Sequence, residues 1–171
     1  MKEKALELAI DTALTLPYDI LDIEGASDEH FVFRLIRFSD GQTAYSVRNS
    51  GIQAEFGIVY HSRGMDCAFA CDIMTECVRD FMIALENSYD GMGSDTVILQ
   101  DLSGRTAVNI VFDHHGHIAV EGKIYNKDDM YSSGIIFAFD ADVGCVLDAI
   151  AAGDKLFAEL YRLRKEYAMH E

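Results

Sequence analysis

The sequence has few basic residues, a single proline and no tryptophan. Its 14 lysines and arginines stand against 29 aspartates and glutamates, which gives a formal net charge of −15 at pH 7. Nucleic-acid binding depends on clustered lysine and arginine side chains that release the counterions of the phosphates. The charge therefore argues against a nucleic acid as partner and favours a basic protein, which a negative surface attracts.

Long apolar runs are also lacking. None approaches the roughly 20 residues that a membrane-spanning helix requires, and the first 16 residues carry acids within their apolar stretch, unlike a signal peptide. The four cysteines lie in apolar strand or helix patterns, where a free thiol behaves as a small buried hydrophobe; they are Cys67, Cys71, Cys77 and Cys145. We therefore expect a cytoplasmic protein that contacts no membrane and holds reduced cysteines.

The length and the apolar content predict one domain over residues 1–171, because half of the residues are hydrophobic and a chain of this size can bury a large core. An apolar face at helical spacing predicts an N-terminal helix at 1–16, which Pro17 ends. An acidic connector follows at 17–29, and a body of sheet and helices occupies 30–171.

Strand patterns in the body fall into two sets of four. The first set is predicted at 30–38, around Tyr45 and Val47, at 52–60 and at 67–71, and the second at 96–102, 106–112, 118–125 and 135–139. Most of these strands alternate apolar and polar residues, as in antiparallel sheets with one wet face. The runs at 67–71 and 135–139 are apolar on both faces, so we expect both faces to be covered.

A helix is predicted after each set of strands. The first begins at Asp72 as N-cap and ends at Tyr89-Asp90-Gly91; its core side is Met74, Cys77, Val78, Phe81, Met82 and Leu85. The second begins at Asp140 or Asp142 and runs to about Lys165, with Gly153-Asp154 as a point where it could split. The prediction is an α+β fold of antiparallel meanders, each followed by a helix, plus the N-terminal helix.

The two strand-to-helix junctions resemble each other at an offset of 68 residues. Seven residues of the first junction recur in the second: Phe69, Ala70, Asp72, Cys77, Val78, Asp80 and Ala84 correspond to Phe137, Ala138, Asp140, Cys145, Val146, Asp148 and Ala152. This correspondence predicts a pseudo-repeat.

One motif suggests metal chemistry, namely Asp113-His114-His115-Gly116-His117. Imidazole and carboxylate groups suit zinc or nickel. Neighbouring histidines in an extended segment, however, point to opposite faces, which favours a solvated hairpin tip closed by Gly116. We assign no catalytic residue, no cofactor and no metal ligand, and we expect a protein that is not an enzyme. A small metal protein or an enzyme that uses His114, His115 and His117 is the alternative.

The connector is the most acidic short segment. Five carboxylates lie within eleven residues that contain no lysine or arginine, and we predict that they contact a basic protein partner: Asp19, Asp22, Glu24, Asp28 and Glu29.

From Phe56 onward, the order of features resembles the WapI-like immunity proteins, small bacterial antidotes to cell-wall-associated polymorphic toxins. Four pieces over about residues 56–160 carry the resemblance: the strand before Asp72, the helix with Val78, Phe81, Met82 and Leu85, the paired strands ending in Ile118-Ala119-Val120-Glu121-Gly122, and Phe137-Ala138-Phe139-Asp140 at the last helix. The resemblance implies a non-enzymatic cytoplasmic protein that blocks a toxin, often a nuclease. An oligomeric structural protein is the remaining alternative.

Overall fold

Two four-stranded antiparallel sheets, each with its strands in sequence order, organise the chain. The computed structural model describes residues 12–91, 95–125 and 134–169. The first half contains β1 (Tyr18–Glu24), β2 (His30–Phe38), α1 (Ala44–Ser50), β3 (Ala54–Ser62), β4 (Met65–Cys71) and α2 (Thr75–Gly91). The second half contains β5 (Thr96–Gln100), β6 (Thr106–Phe112), β7 (His117–Tyr125), β8 (Gly134–Asp142) and α3 (Gly144–Met169). The predicted α+β fold with two antiparallel meanders, each followed by a helix, is confirmed.

The first correction concerns the acidic connector, since its first half is strand β1. Ile20, Leu21 and Ile23 are buried in this strand, and a bulge after Asp19 lets two consecutive apolar residues face inward. Asp22 and Glu24 alternate with the buried residues and face solvent. The sequence analysis missed this strand because acidic residues occupy its exposed face, so only one face of this edge strand is apolar.

The strand predicted around Tyr45 and Val47 is wrong, because these residues belong to helix α1. The Thr43 side chain accepts from the Ser46 N–H, and the Ser46 side chain accepts from the Thr43 N–H, which is a capping box. The side chain of buried Gln42 bonds to the backbone of Ser39 and Gln53. This side chain, and not a strand, therefore joins the two ends of the segment between β2 and β3.

The prediction that the apolar runs 67–71 and 135–139 are covered on both faces is also wrong. Both runs belong to the last strand of a sheet, and only their inner faces contact the core. Ala68 and Ala70 of β4 are exposed, and so is Ile136 of β8, at 80%.

The helices differ from the predictions mainly at their first residues. Helix α2 begins at Thr75, three residues after the predicted cap Asp72, and ends at Gly91 as predicted. Helix α3 begins at Gly144, whose N–H donates to the Asp142 carboxylate at 2.7 Å, so of the two predicted caps Asp142 acts at this end. Asp140 lies within β8.

Helix α3 continues through Gly153, so the predicted split does not occur. Gly153 is buried where α3 approaches α2, and a Cβ there would lie 2.8 Å from the Met82 side chain. The glycine therefore permits a close helix–helix contact instead of ending the helix.

The predicted N-terminal helix at 1–16 lies mostly outside the described residues. Its described part, residues 12–16, is not helical. Thr12 and Ala13 instead bond to Glu159 of α3. No helix in the described part of the chain has an apolar stretch long enough to cross a bilayer.

Each helix that follows a sheet packs against the other sheet: α2 packs against β5 of the second half, and α3 packs against β1 of the first half. Aromatic contacts join the sheets: the Tyr60 ring stacks on the Phe137 ring at 4.6 Å, and the Phe31 ring is tilted against the Phe137 ring at 5.6 Å, measured between ring centroids. A shift of 68 residues also brings the first residues of β4 and α2 to within one residue of the first residues of β8 and α3. The two strand-to-helix junctions therefore begin at corresponding positions, whereas helix α1 has no counterpart in the described part of the second half. The pseudo-repeat stays a prediction.

Candidate functional site: an acidic cleft between the sheets

The two sheets meet where the residues just after β1 contact the edge strand β8. Gly25 and Ala141 form an isolated antiparallel bridge, and the Ala26 N–H donates to the Asp140 carbonyl at 3.0 Å. A Cβ on Gly25 would lie 2.8 Å from Glu29 and 2.9 Å from the Phe139 ring, so this approach requires a glycine. An open cleft of about 780 Å³ lies beside this bridge.

Five carboxylates from three elements line this cleft. Asp22 and Glu24 come from the exposed face of β1, Asp140 and Asp142 from the exposed face of β8, and Asp148 from the second turn of α3. Because side chains alternate along a strand, each strand presents two acids on one face.

Three of these carboxylates have no ion-pair partner among the residues that the structure describes, namely Glu24, Asp140 and Asp148. Asp22 lies 2.6 Å from the His30 ring, and Asp142 accepts from a backbone N–H. Among the described residues, the negative charge of the cleft is therefore only partly compensated.

Cys145 also lines the cleft, close to its carboxylates. Burial, first, and then the charges of Asp142, Asp148 and Asp22 raise the pKa of its thiol to about 11. The thiol therefore stays protonated at neutral pH and donates to the Asp142 carbonyl, 3.1 Å away. A protonated thiol is neither the nucleophile nor the ligand that thiolate chemistry needs.

The histidine motif forms the β6–β7 hairpin tip. The Asp113 carboxylate accepts from the His117 N–H at 2.9 Å and from the His115 N–H at 2.7 Å, and these bonds lower the pKa of Asp113. His114 and His115 are exposed at the tip, and only His117 lines the cleft. Within residues 12–91, 95–125 and 134–169, no three His, Cys, Asp or Glu side chains are grouped so that they could hold a metal ion.

The Asp113 carboxylate and backbone N–H groups hold the hairpin, so we expect little effect on stability when His114, His115 and His117 are all replaced by alanine. Each imidazole is exposed, and the bonds that close the turn come from Asp113 and from backbone N–H groups. The melting temperature, measured with and without a chelator, should be nearly unchanged. A drop of more than a few degrees that added zinc reverses would contradict this prediction.

The structure places the five predicted partner-binding acids in different surroundings. Asp22 and Glu24 line the cleft. Asp19 pairs with Arg34 at 2.8 Å, the Asp28 carboxylate accepts from the Arg63 N–H at 2.7 Å, and the Glu29 carboxylate accepts from the Ser27 N–H at 3.2 Å. The last three are partly satisfied within the fold.

Sequence reasoning missed Asp140, Asp142 and Asp148. One signal was present, because Asp140 and Asp142 alternate with apolar residues at the end of a predicted strand. That alternation does not show which distant segment lies opposite.

Comparison of the chain with protein-family models, with curated proteins and with solved structures finds no match. The fold and the cleft by themselves define an α+β domain with a concave acidic surface.

Proposed function

We propose that this protein is a non-enzymatic binding module that receives a basic segment of another protein in the acidic cleft, and that it acts as an immunity protein against a nuclease-type toxin. The observation that carries the proposal is the set of five cleft carboxylates, three of them without an ion-pair partner among the described residues. Lysine and arginine side chains are the protein groups that such a surface recognises.

The shape of the site favours a protein segment over a single ion. A cleft of about 780 Å³ holds several side chains, and its acids come from two strands and a helix instead of surrounding one point. Field lines concentrate in a cleft lined by one sign of charge, which speeds the encounter with an oppositely charged partner.

The resemblance to WapI-like immunity proteins supports the same proposal. A nuclease must attract phosphate, so its active-site surface is basic, and an inhibitor with a net charge of −15 is attracted to that surface. At physiological salt the Debye length is about 8 Å, so this attraction acts mainly at close approach.

The test uses the nuclease domain of a toxin encoded beside the gene for this chain. The triple variant Glu24→Gln, Asp140→Asn and Asp148→Asn removes the unpaired cleft charges without changing side-chain size. We expect its association rate to fall by about ten-fold and to depend less on salt, since long-range attraction acts chiefly on this rate. Stopped-flow fluorescence over a salt series measures both quantities, and co-expression measures the loss of protection against the toxin.

A matched control removes three exposed acids elsewhere, by Glu86→Gln, Asp90→Asn and Asp154→Asn. Both triple variants change the net charge equally, so a cleft-specific effect separates them. A second control neutralises Asp19, Asp28 and Glu29, for which we expect a smaller effect because these acids bond within the fold. Equal association rates and salt slopes for all three variants would show that the cleft is only a solvated surface.

A further inference from the structure

Strand β4 is the last strand of the first sheet. Helix α3 packs against β1, helix α2 packs against β5, and the C-terminal end of β8 is bridged to Gly25 and Ala26. Among the described residues, β4 pairs with β3 and no strand pairs with its other edge. A row of backbone N–H and C=O groups is therefore available there for another strand.

The sequence of β4 does not protect this edge. Proteins usually block an open edge with lysine, proline or a bulge. The seven residues Met-Asp-Cys-Ala-Phe-Ala-Cys contain no lysine, arginine, proline or glycine, and Asp66 is their one charged residue. The pairing with β3 is regular from Met65 to Cys71, without a bulge. A nearly uncharged, regular edge is unusual in a chain with 29 acidic residues.

We propose that two copies of this protein pair through β4, antiparallel and about a two-fold axis at Ala68, so that their first sheets form one continuous eight-stranded sheet. In this register every residue of β4 lies opposite a residue of the partner's β4. Cys67 faces the partner's Phe69, and Met65 faces the partner's Cys71, so the pairs on the inner face are apolar.

Charge favours this register over its neighbours. With the axis at Ala68, Asp66 faces the partner's Ala70, and no like charges oppose each other. With the axis at Phe69, Asp66 would face the partner's Asp72, which is unfavourable. With the axis at Cys67, Ala70 would face the partner's Gly64, whose φ of 75° is a turn conformation that cannot continue a strand.

A second copy fits this edge better than a basic strand of another protein. A basic strand would find one carboxylate, Asp66, along the whole edge. Ala68 and Ala70 are exposed on the outer face and have small side chains, which leaves room for the second copy's β4 beside them. A two-fold contact is also closed, so it yields dimers instead of fibres.

Dimerisation leaves the acidic cleft free. Strand β4 is three strands away from β1 in the sheet, about 14 Å at the usual strand spacing. The dimer therefore presents two clefts, and the proposal is independent of what binds in them. A contact of seven residues on each side is small, so we expect a reversible dimer that is populated only at high protein concentration.

Two lysine substitutions with the same charge change test the register. Ala68→Lys places two lysines opposite each other at the axis and should abolish the dimer. Ala70→Lys places each lysine opposite the partner's Asp66 and should retain or tighten it. Sedimentation velocity over a concentration series, with reductant present to prevent thiol oxidation, gives the dimer fraction, and circular dichroism checks that both variants fold.

Hydrogen exchange of the unaltered chain is a second measurement that needs no variant. Amides of β4 should gain protection as the concentration rises, while amides of β5 should not. A chain that stays monomeric at every concentration overturns the proposal. Equal dimer fractions for the two lysine variants, or protection at another surface, overturn it as well.

Discussion

Replacing Glu159 by glutamine should lower the free energy of unfolding by about 3 kcal/mol at neutral pH, and the loss should shrink in acid. Glu159 is 5% exposed on α3. Its carboxylate accepts two bonds from Arg162, at 2.7 and 2.9 Å, and one from the Ala13 N–H at 2.8 Å. These contacts fasten the segment before β1 to the last helix.

The sign of the pH effect follows from the pKa of Glu159. The hydrogen bonds from Arg162, first, and those from Thr12 and Ala13 lower this pKa from 4.5 to about 2, against the opposing effect of burial. The lowered pKa means that the charged form is the one that the fold stabilises. This contribution is fully present above pH 4.5 and is lost as the pH falls toward 2.

The matched control is Glu166→Gln, which removes another carboxylate that pairs with Arg162. Both partners in that pair are about 40% exposed, so we expect a loss of less than about 1 kcal/mol. Urea unfolding of the three proteins at several pH values measures the differences. Two results would contradict the role of Glu159 in joining the segment before β1 to α3. One is an equal loss of unfolding free energy for both variants, and the other is a loss for Glu159→Gln that does not change below pH 4.5.

Replacing Gly122 by alanine should destabilise the fold by about 1–3 kcal/mol, the usual effect of overfilling a packed core. Gly122 lies in β7 directly opposite Phe137 of β8. A Cβ at this position would lie 2.3 Å from the Phe137 ring, so the ring must move. That ring stacks on Tyr60 of the other sheet, and moving it disturbs the contact between the two halves.

The control is Gly91→Ala, because no atom of the described residues lies within 4 Å of a Cβ at Gly91. Its stability should change by less than about 1 kcal/mol. A double-mutant cycle with Phe137→Ala then isolates the steric clash between the Cβ and the ring. In the Phe137→Ala background, Gly122→Ala should lower the free energy of unfolding much less than in the unaltered protein. Thermal unfolding of the single and double variants measures the coupling. If the two substitutions change the stability additively, the Phe137 ring does not clash with a side chain at position 122.

Local signals explain which strands the sequence predicts. In β3, Phe56, Ile58 and Tyr60 are buried on one face, as the alternation indicates. Strand β1 was missed because acids occupy its exposed face and a bulge breaks its alternation after Asp19. Helix α1 was missed because its capping box and the buried Gln42 outweigh the apolar spacing of Tyr45 and Val47.

The sequence by itself determined the sign of the charge and the antiparallel order of the strands, because short turns between alternating segments allow no parallel crossover. It also determined that each meander is followed by a helix. Only the tertiary structure decided which acids share a cleft: Glu24 lies far in the chain from Asp140 and Asp148, and they come together where the end of β1 is bridged to β8. Periodicity reports which face of a strand is buried, but contacts between distant segments depend on how the whole core packs.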